Sequence, residues 1–165
     1  MKLLSFIPLL QDDYGKPMDC TLVSVVACVL YKLHNPEVYA KVIYVTVERI
    51  AKSLGYDGES GGLWVNSIKP LYEQTLQHFG LKGTATRRYI KGIGYTFNTI
   101  KNQIDMGNPV ILSVEDVRGT KYKRHTVVVV GYDNDSLIIY DNWDLNAHKI
   151  KYSAIDIGAV ITYTK

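Results

Sequence analysis

The chain has 165 residues, 47% of them hydrophobic and 21% charged, a globular ratio that excludes a fibre or a disordered tail. Nineteen Lys and Arg against sixteen Asp and Glu leave a net charge of +3, too little for a nucleic-acid footprint. Two cysteines exclude a disulfide-rich miniprotein and a four-thiolate zinc site, and no run is long enough to span a membrane.

This length fits one domain over 1–165 with a core that needs no staples. Met1 to Leu10 reads as an extended lead-in. It runs into Gln11-Asp12-Asp13 without a small-residue cleavage site, so no signal peptide is expected, and a soluble, cytoplasmic protein is favoured over a secreted one. Gln11 to Asp19 is a loop holding Gly15 and Pro17. From Cys20 to Leu33 almost every residue is apolar, which predicts a helix buried on all sides. Cys20 and Cys28 share that helix about 12 Å apart, beyond disulfide reach, so both are expected as free thiols. Asn35 and Pro36 suit the cap and first residue of a second helix running to Leu54. A third, Trp64 to Phe79 with Pro70 marking a second possible start, ends at Gly80.

The second half changes period. Lys82 to Ile90 reads as a strand, Thr96 to Met106 as a short helix stopped by Gly107-Asn108-Pro109. Strands follow at Val110–Val114, Thr126–Tyr132, Leu137–Tyr140 and Ala159–Tyr163, with a hairpin turn over Asp133-Asn134-Asp135-Ser136. Helices first and antiparallel strands after is an α+β order.

Three positions can carry chemistry. Cys20 opens the buried helix, where unpaired amides and the macrodipole favour a thiolate. His125 opens the most hydrophobic strand, and Asp141 lies just past the strand that pairs with it. Hairpin register puts residue 125 opposite roughly 143 to 145, so imidazole and acid can meet. An imidazolium beside the thiol lowers the thiol pKa and later protonates a leaving group, provided a third group holds the ring and its tautomer. Spacing does not say whether Cys20 meets the pair. Asp19, next to the thiol, reads as an N-cap. Lys121-Tyr122-Lys123-Arg124 reads as a solvated turn. His148 has no partner at metal-ligand spacing, and neither a metal nor a cofactor is assigned.

These residues resemble a family. Asp19-Cys20 heading an apolar helix, Gly107-Asn108-Pro109-Val110-Ile111, Arg124-His125-Thr126 leading into the valine run, and Ile139-Tyr140-Asp141 are similar, in this order, to the papain-like cysteine peptidases. The likeness is greatest to the bacterial branch of double-glycine leader peptidases and their free-standing relatives. Gly61-Gly62 and His78-Phe79-Gly80-Leu81-Lys82 resemble that branch between Cys and His. The resemblance implies a papain-like α+β fold and hydrolysis of a peptide or protein substrate through a thioester. It implies Cys20 as nucleophile, His125 as general base and acid, Asp141 as orienter, Gln11 as side-chain oxyanion donor, and Trp143 covering the His–orienter bond. Thr21 departs from the usual residue after the cysteine, Gln11 lies farther upstream than is common, and Asn142, where a Pro is common, is an alternative orienter. Two rivals stand beside this reading: a cell-wall peptide hydrolase of the NlpC type, and a papain-like module that binds a peptide without cutting it. The sequence does not state an oligomeric state.

Overall fold

The apolar run Leu22–Leu30 leaves no side for water. In the computed structural model of the protein, which describes residues 1–14, 19–59, 62–90 and 95–164, that run is buried throughout, inside α1 (Cys20–Leu33). Gly15, Pro17 and Gly61 lie outside the described residues. The loop expected upstream of the thiol instead holds a short 3-10 turn, Gln11–Tyr14.

The second helix, α2 (Ala40–Ser53), starts later than expected. Pro36 takes an extended ψ of 160° and caps a 3-10 turn, Glu37–Tyr39, so it is not the first helical residue. Likewise a 3-10 turn, Val65–Ser67, precedes α3 (Ile68–His78). Pro70 falls in the first turn of α3, where its missing N–H has no helical partner to lose. Gly80 ends the helix with φ +78°, a conformation that favours glycine.

Among the described residues, seven strands form one antiparallel sheet: β1 (Lys2–Leu3), β2 (Thr84–Ile90), β3 (Val110–Val117), β4 (Lys123–Asp133), β5 (Ser136–Tyr140), β6 (His148–Lys151) and β7 (Ile155–Thr164). Their order is β2-β7-β3-β4-β5-β6, and β1 pairs with β4 at Gly131 and Tyr132, past the end of the β3 ladder. Between β2 and β3, the helix α4 (Tyr95–Asp105) packs near this sheet. β6 has no counterpart in the sequence reading: only Ile150 of its four residues is buried, too little apolar pattern to signal a strand.

The sheet carries apolar groups on both faces. Val128, Val130, Ile111 and Ile161 join the core of α1, α2 and α3, while Val127, Val129, Leu112 and Val160 join Ile100 and Ile104 of α4. A strand buried on both faces reads as a continuous apolar run, which is why Thr126–Val130 shows no alternation.

Gly131 sits at a register shift between β4 and β5, and a Cβ there would lie 2.3 Å from the carbonyl oxygen of Lys2. Gly131→Ala is therefore expected to push β1 off the sheet and lower stability by about 1–3 kcal/mol, read from urea unfolding.

Candidate active site

α1 begins where an apolar helix must be joined to an apolar sheet, and the joint is polar. The Thr21 and Thr126 hydroxyls share a buried hydrogen bond of 2.8 Å. Ser24 Oγ donates to the Cys20 carbonyl at 2.7 Å. Asn142 Nδ2 lies 2.8 Å from Ser24 Oγ and 3.3 Å from the carbonyls of Cys20 and Thr126. Thr21 follows Cys20 and Thr126 follows His125, so the first bond brings the starts of α1 and the apolar part of β4 to one corner. Cys20 there is partly exposed, whereas Cys28 is fully buried, and burial pushes the Cys28 thiol well up. Both are free, as expected.

His125 is 4% exposed, and its Nε2 lies 2.6 Å from the backbone carbonyl oxygen of Asp141. A carbonyl can only accept, so Nε2 carries the hydrogen and Nδ1 of the neutral ring keeps its lone pair. Burial lowers the pKa of His125, opposed by the Asp141 carbonyl bond and the Asp141 charge, with the Lys121 charge lowering it further. The β4–β5 register, Val128 opposite Tyr140, continues to place His125 level with Trp143, at the edge of the range the hairpin geometry predicted.

The Asp141 side chain has other work. It is wholly buried and its Oδ2 accepts the Tyr122 hydroxyl at 2.8 Å, while Oδ1 accepts the backbone N–H of Trp143 at 2.9 Å and of Asp144 at 3.3 Å. Asp141 thus meets the imidazole through its main chain, and its carboxylate shapes the turn that follows. Asn142, the alternative orienter, sends its amide into the α1–β4 joint. Gln11 is buried in the 3-10 turn, and its backbone N–H donates to the Asn142 carbonyl at 2.8 Å. One run of hydrogen bonds therefore links Gln11, Asn142 and Cys20, and the adjacent Asp141 links His125.

Backbone strain marks the same corner. Arg124, directly before His125, has φ +44°, and Asn142, directly after Asp141, has φ +66°. Asn visits this region more readily than Arg, whose Cβ crowds the chain.

An aromatic roof closes over the ring. Trp143 stacks on His125 at 4.0 Å between centroids, and Tyr122 lies nearly parallel to both, 6.2 Å from His125 and 5.6 Å from Trp143. Tyr122 corrects the solvated-turn reading of 121–124: it is 4% exposed, since its ring packs on the roof and its hydroxyl holds Asp141. No periodicity marked it. Asp19 corrects the N-cap reading, because its carboxylate makes no cap bond. His148 has neighbours that spacing did not show: Nε2 lies 2.9 Å from both Asp144 oxygens and 3.5 Å from Asp141 Oδ2. These three offer donor atoms within 4.8 Å of one another, the composition of a small cation site, although Lys121 Nζ already lies 3.8 Å from Asp141 Oδ2.

The family model described as "Peptidase_C39 like family" matches residues 4–161. A crystal structure from Bacillus anthracis, assigned as a C39-like peptidase, superposes with a TM-score of 0.65 at 13% identity, covering 100% of this chain and 98% of that one. The peptidase domain of Streptococcus ComA, a bi-functional ABC transporter involved in a quorum-sensing pathway, gives 0.55 at 18% identity, covering 99% and 97%. At these identities the likeness is one of fold, and the fold is the α+β papain-like one expected. No curated protein sequence matches the chain.

Two outcomes test the corner itself. Asn142→Ala should lower stability by about 1–3 kcal/mol and Asn142→Gly by less, since glycine keeps the left-handed backbone while losing the same bonds; urea unfolding compares them. Because the folded pKa of His125 lies below its ordinary value near 6.5, the folded state binds fewer protons than the unfolded chain in that window. This contribution is intact above pH 6.5 and lost as pH falls through the depressed pKa, so His125→Gln should flatten the stability–pH curve there.

Proposed function

The chain belongs to the Peptidase_C39 like family, and on that premise we propose that it hydrolyses a peptide bond through Cys20, His125 and Asp141 with a thioester intermediate. The observation that carries this is the Thr21–Thr126 bond, which sets the thiol-bearing helix tip beside the imidazole-bearing strand. Family membership supports cysteine peptidase activity in general terms.

Neutral His125, its Nε2–H fixed on the Asp141 carbonyl, takes the Cys20 proton at Nδ1. The sulfur attacks the substrate carbonyl and a carbon–sulfur bond forms. The oxyanion is met by the Cys20 backbone N–H and the Gln11 side chain. The imidazolium then gives its proton to the departing amine as the carbon–nitrogen bond breaks. Water, deprotonated by the regenerated imidazole, cleaves the thioester and restores the thiol. Asp141 stabilises the imidazolium twice, by its carbonyl and by the nearby carboxylate charge, while Trp143 shields that hydrogen bond from water. The low pKa of the free imidazole suits a base that is already neutral at neutral pH.

A thiol-directed electrophile tests the assignment. Cys20 should alkylate far faster than buried Cys28, with a midpoint below the roughly 8.5 of a free thiol, and His125→Ala should raise that midpoint. Cys20→Ala should abolish cleavage of a peptide panel, and wild-type kcat/KM should fall on the acid side as His125 becomes protonated. Equal, slow labelling of both cysteines would leave a peptide-binding module instead.

A further inference from the structure

Asp19 stands directly before Cys20 and is wholly buried. Its carbonyl accepts the Val23 N–H at 2.9 Å, the opening bond of α1, yet its carboxylate gives that helix no cap bond. Both oxygens are engaged elsewhere: Oδ2 accepts the Tyr44 hydroxyl from α2, and Oδ1 accepts the Tyr56 hydroxyl from the segment beyond α2. Burial, then the bond to Asp19, raises both phenol pKa values, so both stay protonated and donating. Among the described residues, Lys52 Nζ lies 3.5 Å from Glu48 Oε1. Glu48 Oε2 accepts from the Tyr44 hydroxyl at 3.2 Å, and the Tyr14 ring, on the turn that holds Gln11, lies 4.7 Å from the Tyr44 ring at a tilt of 34°.

An aspartate that caps a helix occupies a first-turn amide and places a full negative charge at the helix start. Both effects oppose a nucleophile there. The sulfur anion and the oxyanion need those amides, and a facing carboxylate raises the thiol pKa. A buried carboxylate kept elsewhere needs charge-assisted hydrogen bonds to offset its lost hydration, and two phenols supply them.

We propose that Tyr44 and Tyr56 draw the Asp19 carboxylate off the start of α1 and so reserve its first-turn amides for the Cys20 sulfur and the oxyanion. Asp19, Tyr44 and Tyr56 are then positioning residues of the nucleophile, and this rests on the reading of Cys20 given above. The arrangement makes the two hydroxyls important only while the carboxylate is present. Without them Asp19 turns back onto the helix and becomes an inhibitory cap. Without Asp19 there is nothing to restrain.

The test is the pH dependence of iodoacetamide labelling in the full chain, read on the Cys20 peptide by mass spectrometry, with circular dichroism as the folding control. Tyr44→Phe with Tyr56→Phe should raise the Cys20 midpoint by roughly one pH unit. Adding Asp19→Ala to that pair should bring the midpoint back to the wild-type value or below it, and Asp19→Ala alone should not raise it. A purely structural cluster predicts damage that accumulates in the triple variant. An unmoved midpoint in the double variant, or no recovery on adding Asp19→Ala, overturns the proposal. Should the double variant not fold, Tyr56→Phe with and without Asp19→Ala makes the same comparison with a smaller shift. No peptide hydrolysis is read. An ordinary midpoint in the wild type therefore counts against Cys20 as nucleophile, while the differences between variants still decide what Asp19 does.

Discussion

The polar joint between α1 and β4 is the constraint on which the candidate site depends. Apolar contact alone does not fix how far a helix slides along a sheet, because one valine packs much like the next. Thr21, Ser24, Thr126 and Asn142 remove that freedom, since each is buried and shifting the helix would strand its polar atoms at about 1–3 kcal/mol apiece. With the helix fixed, the backbone of Cys20 is held at a set height on β4. The same amide of Asn142 reaches both sides of the joint, so the turn after β5 is tied to the helix tip.

Asp141 divides its influence on His125 between two groups. Its carbonyl fixes the tautomer by direct contact, and its carboxylate acts through space while organising the following turn with Tyr122. A side-chain contact would have to point at the ring. A main-chain contact needs only that the turn be rigid, which the buried carboxylate and the left-handed Asn142 provide.

Much of the fold was legible because its signals are local. α1 has the predicted bounds, and the hairpin at 133–136 formed where the turn residues announced it. The places of Cys20 at a helix start, His125 in a strand and Asp141 just past the strand paired with it were also readable. What stayed hidden depends on contacts far apart in sequence. Tyr122 looked like part of a basic turn, yet it is buried by Trp143 and Asp141, nineteen or more positions later. Asp19 fits every local rule for a cap, and Tyr44 on α2 with Tyr56 just past it show that its carboxylate is engaged elsewhere. His148 gained its neighbours from the turn that Asp141 shapes, and β6 carries too few apolar residues to announce itself.

Stacking an indole on the imidazole gives the protein a built-in optical reporter. The chain has two tryptophans, and Trp64 is 78% exposed while Trp143 lies flat on His125. A charged imidazolium quenches an indole that it touches far more than a neutral ring does. The emission of Trp143 is therefore expected to follow the protonation of His125, without substrate or label, against the steadier signal of a solvated Trp64.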